Sequence, residues 1–445
     1  MNRFPKILIF SQPFNKFSGG GITLTNLFHG WPKDRIAVLT FPFMLQGLST
    51  DDCDKYYQVG EDEYKWAFPL KVFKQAYPSG EIESSVTTTI SDLESTPSFK
   101  HLVSSRIVNP IIEWLGLNNC ISRIIISTRL RSWLTEFGPE LLYLQISNRE
   151  SILFSIDLMD FLKIPSVIHM MDDWPTTIAH HGLLKKFWGR KINFEFRKLL
   201  EKVDLHLSIS DAMSEEYHIR YKKSFMAFHN PVDVSMYESP TIPYNKHKTD
   251  FKILYIGRIG IANQHTISLF AEYISNISDN STEVTFDIIT KDSEASVIMK
   301  IKDLRNVRIK PPVKHEVIPG LMKQYDILLL PLDFTKAGME FSKFSIPTKV
   351  SEYMLSGVPI LVLAPRDTAV SQFFLKYECG FCATRLEEGE LKRALHTLLH
   401  NNEFRISCSE KSYRIAIEKF DREKVKHEFQ SLLVNTSRPH CLPQS

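Results

Sequence analysis

The stretch SIPTKVSEYMLSGVPILV, residues 345–362, holds the residues best placed for chemistry. Pro347 sits where a helix should begin, since its fixed φ and missing N–H suit the first turn. The first-turn amides of Thr348 and Lys349 then lack intrahelical acceptors, and a phosphate is a natural ligand for them. Lys349 adds a positive charge. Glu352 lies one turn further along, where its carboxylate can accept hydrogen bonds from a ribose diol. Read alone, the segment is equally a surface helix carrying a Lys349–Glu352 pair at i,i+3. A preceding apolar strand and a following Gly357-Val358-Pro359 favour the nucleotide reading.

A second polar segment is HMMDDWPTT, residues 169–177. It follows a predicted strand, so Asp172 and Asp173 should stand at the carboxyl edge of a sheet, where α/β proteins bind ligands. Either aspartate could orient or deprotonate a hydroxyl, or it could cap a helix beginning at Trp174-Pro175. Two adjacent carboxylates are too few ligands for a metal. His169 is expected on the strand and buried, with His180 and His181 beyond it, and no metal site is expected. Cys379-Gly380-Phe381-Cys382 is a lone CxxC without a second pair for zinc, which argues against a metal or redox role. Residues 182–202 interleave seven basic residues with Leu, Phe and Trp. They read as a domain helix with a solvated basic face or as a surface for anionic membrane.

The elements that must position these residues alternate between strand and helix. Lys6–Phe10 is a short apolar run of buried-strand type, followed by Gly19-Gly20-Gly21, a helical stretch and the strand Ile36–Thr40. Glu140–Ser147, Pro165–Met171 and Asp204–Ser210 are further strands, with Asp211 expected to cap the next helix. Residues 79–99 read as a loop or insertion, and 236–250 as an interdomain linker. The pattern then restarts with FKILYIGRIG, VTFDIIT, YDILLLPL and PILVLA. A final amphipathic helix spans 421–434, with Asp421 as its cap. The expected fold class is therefore α/β, with two Rossmann-like doubly wound domains.

Length and composition agree. The chain has 445 residues, 43% hydrophobic and 24% charged, enough for two or three cores. A net charge of +3 is too small to argue for nucleic acid. Six sparse cysteines and no signal-peptide pattern fit a reducing, cytoplasmic setting.

The segment 345–362 resembles the GT-B glycosyltransferases, and within them the large retaining family 4 group. That group carries two glutamates eight positions apart, the second binding the donor ribose and followed by a small residue, Gly and Pro. Glu352, Ser356-Gly357 and Pro359 match the second half. The first glutamate falls at Phe344, so it is absent; nearby Glu340, Ser342, Lys343 and Ser345 could substitute for it, though none is in register. In the family a Gly-Arg pair after the first strand of the C-terminal domain, and a lysine six residues on, hold the diphosphate. Gly257-Arg258 matches, and the lysine position is Gln264. Gly19-Gly20-Gly21 resembles the family's N-terminal glycine loop beneath the donor, where positive φ and close backbone approach would be useful. Asn230-Pro231-Val232-Asp233 resembles the usual end of the N-terminal domain.

The resemblance implies an N-terminal acceptor domain (1–238), a C-terminal donor domain (239–420) and a C-terminal helix and tail (421–445) crossing back to the first. It implies a glycosyltransferase moving a sugar from a nucleotide-diphosphate sugar to a glycan or lipid-linked acceptor with retention, in surface polysaccharide or glycoconjugate synthesis. The nucleotide sugar is a co-substrate, and neither a cofactor nor a metal is expected. Arg258, Asp172 and Asp173 are the candidate catalytic groups. Gly19, Gly20, Gly21, Arg258, Gln264, Thr348, Lys349 and Glu352 are the candidate donor contacts. The protein is expected in the cytoplasm, with 182–202 as a surface for peripheral attachment. A nucleotide-sugar 2-epimerase of the same fold is an alternative. So is a non-catalytic partner subunit, which Phe344 and Gln264 would favour.

Overall fold

Short apolar runs build two mainly parallel sheets. The computed structural model describes residues 3–16, 18–45, 47–66, 77–82, 114–177, 182–239, 248–277, 283–292 and 294–438. The first sheet contains β1 (Ile7–Ser11), β2 (Ile36–Thr40), β3 (Lys55–Gln58), β5 (Gly80–Glu81), β7 (Leu141–Leu144), β8 (Ser166–Met170), β9 (Leu205–Ser208) and β10 (Met226–Ala227). Their order is β10-β9-β8-β7-β1-β2-β3-β5, parallel except for the last pair. β4 (Tyr64–Trp66) and β6 (Ser122–Ile124) form a separate antiparallel ribbon. The second sheet comprises β11 (Asp250–Ile256), β12 (Glu283–Ile289), β13 (Val307–Lys310), β14 (Ile327–Pro331), β15 (Ile360–Leu363) and β16 (Phe381–Ala383). Its order, β13-β12-β11-β14-β15-β16, is wholly parallel.

Both sheets thus have the doubly wound pattern, in which strand order reverses beside the first strand of the unit. The reversal lies between β1 and β7 in one sheet and between β11 and β14 in the other. Loops leaving the carboxyl ends diverge there and open a crevice suited to ligands. The strands read as continuous apolar runs because both faces are covered. In the second unit Ile253 and Tyr255 face one core while Leu254 faces the other. Fully burying each such aliphatic side chain contributes about 1.5–3 kcal/mol.

The chain divides into two compact units, Met1–Phe228 with Lys426–Ser445, and His229–Val425. The Asn-Pro-Val-Asp segment packs with the second unit. There Val232 N–H donates to the Phe420 carbonyl at 2.8 Å, and Arg422 pairs with Asp233 at 2.7 Å. The final helix, Arg422–Thr436, starts after Asp421, whose carboxylate accepts from Glu423 N–H at 2.9 Å. Its later turns return to the first unit. Gln430 Nε2 donates to the carbonyls of Leu27 and His29, and Phe429 packs edge-on against Phe28 and Tyr143.

Several local expectations shift. Ser210, not Asp211, caps the helix Asp211–Tyr221, because its hydroxyl accepts from Met213 N–H at 3.0 Å. Most of the 79–99 insertion, the 240–247 part of the linker, and His180 and His181 lie outside the described residues.

Candidate active site

The loop leaving β11 is shaped around one phenol. Tyr255 is buried near the strand's end, and its hydroxyl donates to the Arg258 carbonyl at 2.5 Å. The same oxygen accepts from Asn263 Nδ2 at 2.8 Å and from Lys349 Nζ at 3.0 Å. One donor and two acceptors exhaust a hydroxyl's capacity. Ile259 N–H donates to Asp292 at 2.7 Å, which fixes the next residue of the loop. At the neighbouring strand, Asp333 N–H donates to the Ala262 carbonyl at 2.7 Å and its carboxylate accepts from His265 N–H at 3.1 Å. The loops after β11 and β14 are therefore bound together at the point where strand order reverses.

Gly257 is required in this turn. Its φ is +143°, and a Cβ there would lie 2.4 Å from Lys349 Nζ. Arg258 follows, exposed, and its guanidinium makes no hydrogen bond or ion pair with any described side chain. A backbone held this tightly under a solvent-facing guanidinium is suited to an anion.

Lys349 opens the helix Lys349–Leu355, and Thr348 precedes it without a side-chain cap. The helix starts slightly later than Pro347, although Val350 N–H still bonds to the Pro347 carbonyl at 3.0 Å. The ammonium lies 4.2 Å from the Tyr255 ring centre, a cation–π contact. Burial pulls its pKa down to about 7, and Glu352 opposes that shift. A lysine poised near neutrality takes full charge when an anion arrives. Tyr353, next along the helix, accepts from Ile256 N–H at 3.0 Å and docks the helix on β11.

Glu352 is not paired with Lys349 by a salt bridge. Its Oε1 meets His315 Nε2 at 2.7 Å, and that hydrogen bond is the main cause of the raised His315 pKa. Gln264 is exposed at the first position of the helix Gln264–Asn276, at the end of the Arg258 loop. The structure thus brings Arg258, Lys349 and Glu352 to one edge of the second sheet, with Thr348 and Gln264 at the starts of flanking helices.

Three of the four residues near the absent glutamate have partners of their own. Ser342 is buried and donates to its own helix at Gly338, and Lys343 pairs with Asp367 at 2.9 Å. Glu340 stands 3.8 Å from Lys336.

In the first unit two expectations require correction. Gly19, Gly20 and Gly21 do not form a positive-φ loop. They make the first turn of the helix Gly19–Phe28, where the Ser18 hydroxyl accepts from Gly21 N–H at 3.1 Å. Their lack of side chains instead leaves room for Gln12 and Asn15, which a Cβ at Gly20 or Gly21 would strike. Asp173 is not a base facing substrate, because it is 6% exposed and its carboxylate is consumed. Arg220 grips it at 2.8 and 3.1 Å, while Tyr217 and Thr176 donate to it at 2.9 and 3.0 Å. Removing one partner of such a pair costs about 3–5 kcal/mol, so Asp173 is an anchor. Asp172 beside it is exposed. His169 is buried on β8 and meets the Tyr143 hydroxyl at 2.6 Å. Cys379 is buried, with its thiol pushed up to about 12. Among the described residues no cluster has the makings of a metal site.

Sequence reasoning missed Tyr255, Asn263, His315 and Tyr353. Tyr255 and Tyr353 look like ordinary core aromatics, and only the three-dimensional meeting of their hydroxyls with the loop reveals the role.

Comparison with known structures identifies the fold. The chain is similar to HepE from Anabaena in complex with UDP and glucose, at 12% identity and a TM-score of 0.59, covering 96% of this chain and 99% of that one. It is similar to the sucrose-phosphate synthase of Thermosynechococcus elongatus, at 11% identity and a TM-score of 0.59, covering 97% and 98%. It is also similar to WaaG, a glycosyltransferase involved in lipopolysaccharide biosynthesis, at 11% identity and a TM-score of 0.54, covering 96% and 99%. No curated protein sequence matches it. The fold shared with these structures is of the GT-B type. Residues 250–401 match the family described as Glycosyl transferases group 1.

Proposed function

We propose that this enzyme transfers a sugar, with retention, from a nucleoside-diphosphate sugar held on the second unit to a hydroxyl of a glycan or lipid-linked acceptor held on the first. The observation that carries the reading is an exposed Arg258 in the loop whose Gly257 packs against the Lys349 ammonium, at the reversal of the second sheet. Arg258 and Lys349 neutralise the charge that develops on the departing diphosphate, which is electrostatic stabilisation by preorganised groups. The first-turn amides of Thr348 and Lys349 add to it, Gln264 contributes an uncharged hydrogen bond, and Glu352 takes the ribose diol. With retention, the departing phosphate helps to accept the acceptor's proton, and Asp172, exposed on the first unit, is the candidate to orient that hydroxyl. The protein's cations take the place of a metal in this scheme.

The named contents of similar structures agree with this reading: HepE has been described with UDP and glucose, and TarM with UDP and α-GlcNAc-glycerol. A role in surface polysaccharide or glycoconjugate synthesis fits the lipopolysaccharide enzymes among them. No described helix is long and apolar enough to cross a membrane. The helix Lys185–Lys202 offers exposed Phe187 and Phe194 among its basic residues for peripheral attachment.

The test is nucleotide release. Incubation with nucleoside-diphosphate hexoses and a panel of glycan and lipid-linked acceptors, with EDTA present, should release nucleotide only when an acceptor is supplied. Donor binding without release across the panel would instead favour a non-catalytic partner.

A further inference from the structure

The first unit carries an aromatic cavity that the donor site does not use. Its volume is about 250 Å³, and its walls include Phe43, Glu61, Tyr64, Trp66, Tyr77 and Glu150. It lies where β2, β3 and β7 end: Phe43 follows β2, Glu61 follows β3, and Glu150 stands in the first turn of the helix after β7. This is the ligand-binding edge of a parallel sheet.

The walls are built in pairs. Tyr64 and Trp66 are two apart on β4, so they share a face, and their ring centres are 6.2 Å apart. Phe43 is 71% exposed yet stacks on buried Phe41 at 5.5 Å with ring planes 5° apart. Such a held, exposed ring offers its face to something. The Trp66 Nε1–H is buried and meets no acceptor among the described residues. Glu150 accepts from the Ser122 hydroxyl, opposite Trp66 on β6, which leaves its second oxygen for a ligand.

The cavity is also rigid, through a residue that sequence reasoning passed over. Glu63 is fully buried, and its carboxylate accepts from Tyr57 Oη at 2.8 Å, Gly60 N at 2.9 Å, and Ser79 Oγ and Ser127 Oγ at 2.5 Å each. Glu61 N–H adds a bond to the Tyr77 carbonyl at 2.9 Å, in a contact so close that a Cβ on Gly60 would lie 2.5 Å from that backbone. One charge thus ties the Glu61–Tyr64 turn to the Tyr77–Ser79 segment.

Flat aromatic faces suit the C–H face of a pyranose, and carboxylates and an indole N–H suit its hydroxyls. Among the described residues the lining carries two carboxylates and no cation. A sugar acid or a phosphate would meet repulsion from Glu61 and Glu150. We infer that this cavity is a binding subsite for an uncharged hexose unit of the acceptor glycan. The inference rests on the glycosyltransferase reading for its biological role, but not for the binding itself.

The test is saturation-transfer NMR on the full chain without nucleotide. The probes are methyl β-D-glucopyranoside, methyl β-D-galactopyranoside and methyl β-D-glucuronide. At least one neutral glycoside should show saturable binding, with the strongest transfer on one C–H face, and the glucuronide should bind about tenfold more weakly. Phe43→Ala, at an exposed position, should weaken the neutral glycoside about fivefold, the worth of one aromatic contact. Glu61→Gln and Glu150→Gln should narrow the discrimination against the glucuronide. Absence of binding by either neutral glycoside, or binding indifferent to all three substitutions, would overturn the subsite. Titration of the same samples with nucleoside diphosphate reports the second unit separately. A chain that takes nucleotide but no glycoside sinks the cavity alone, and the converse sinks the donor reading alone.

Discussion

The Lys349 ammonium stands 3.0 Å from the Tyr255 hydroxyl and 4.2 Å from the centre of its ring. This contact joins the helix bearing Glu352 to the loop bearing Arg258. Tyr255→Phe keeps the ring and removes the hydroxyl, so Lys349 Nζ loses its acceptor and the Arg258 carbonyl is left with the Asn263 Nδ2 bond at 3.1 Å. Nucleoside diphosphate affinity should fall by about 1–2 kcal/mol, the range for a lost buried hydrogen bond. Calorimetric titration measures it, and unchanged affinity would mean that the loop needs no such tie.

Lys349 should make donor binding depend on pH. Its folded pKa is lowered from 10.5 to about 7 by burial. Between those values the unfolded chain binds the extra proton, so its contribution to stability rises with pH across that window. A bound diphosphate favours the charged amine, so binding takes up a proton above neutrality and affinity falls as pH rises through about 7. Lys349→Arg should flatten that slope. Calorimetry in buffers of different ionisation enthalpy should show proton uptake at pH 8, and no uptake would contradict the assignment.

Most of the fold was legible because its signal is local. The strand Ile36–Thr40 has the bounds its sequence predicts, and the apolar runs at β1, β8, β12, β14 and β15 mark those strands to within a residue or two of their ends. Short apolar runs between helical stretches leave few alternatives. The candidate site is legible only where a motif marks it, and the structure brings the marked residues Arg258, Lys349 and Glu352 to one edge of the second sheet. Asp173 looked reactive because a sequence shows its charge and not Arg220, which reaches it from 47 residues away. The glycines looked like a loop because Ser18, the helix-starting residue, sits just before them. Glu63 gave no signal at all, since its partners at Tyr57, Ser79 and Ser127 are scattered along the chain.

Glu352 should hold the donor ribose. Its side chain leans back toward the start of its helix, near Lys349. His315 holds the same carboxylate at 2.7 Å, and its raised pKa means that this pairing is present below about 6.5 and lost as pH rises through the higher folded value. Glu352→Gln should weaken a ribonucleoside diphosphate by roughly 1–3 kcal/mol and a 2′-deoxy analogue by less. Purely additive losses in that double comparison would refute the contact.

The helix Lys185–Lys202 should bind anionic vesicles at low salt. Phe187 and Phe194 are exposed on it, with Lys186, Arg190, Lys191 and Lys198 alongside. Neutralising Lys185, Lys186 and Lys191 together should weaken co-sedimentation, each charge near the surface being worth about 1 kcal/mol. Wild-type protein that ignores anionic vesicles at low salt would show that this face is merely solvated.

The central claim is that the exposed guanidinium of Arg258 holds a nucleotide diphosphate at the reversal of the second sheet. The direct measurement is calorimetric titration of wild type and Arg258→Ala with UDP, GDP and ADP, and with the matching monophosphates. One diphosphate should bind wild type more tightly than its monophosphate, and Arg258→Ala should lose about 2–4 kcal/mol of that affinity, the worth of a desolvated charge pair. Binding of equal strength in both proteins, or no diphosphate binding by wild type, would contradict it.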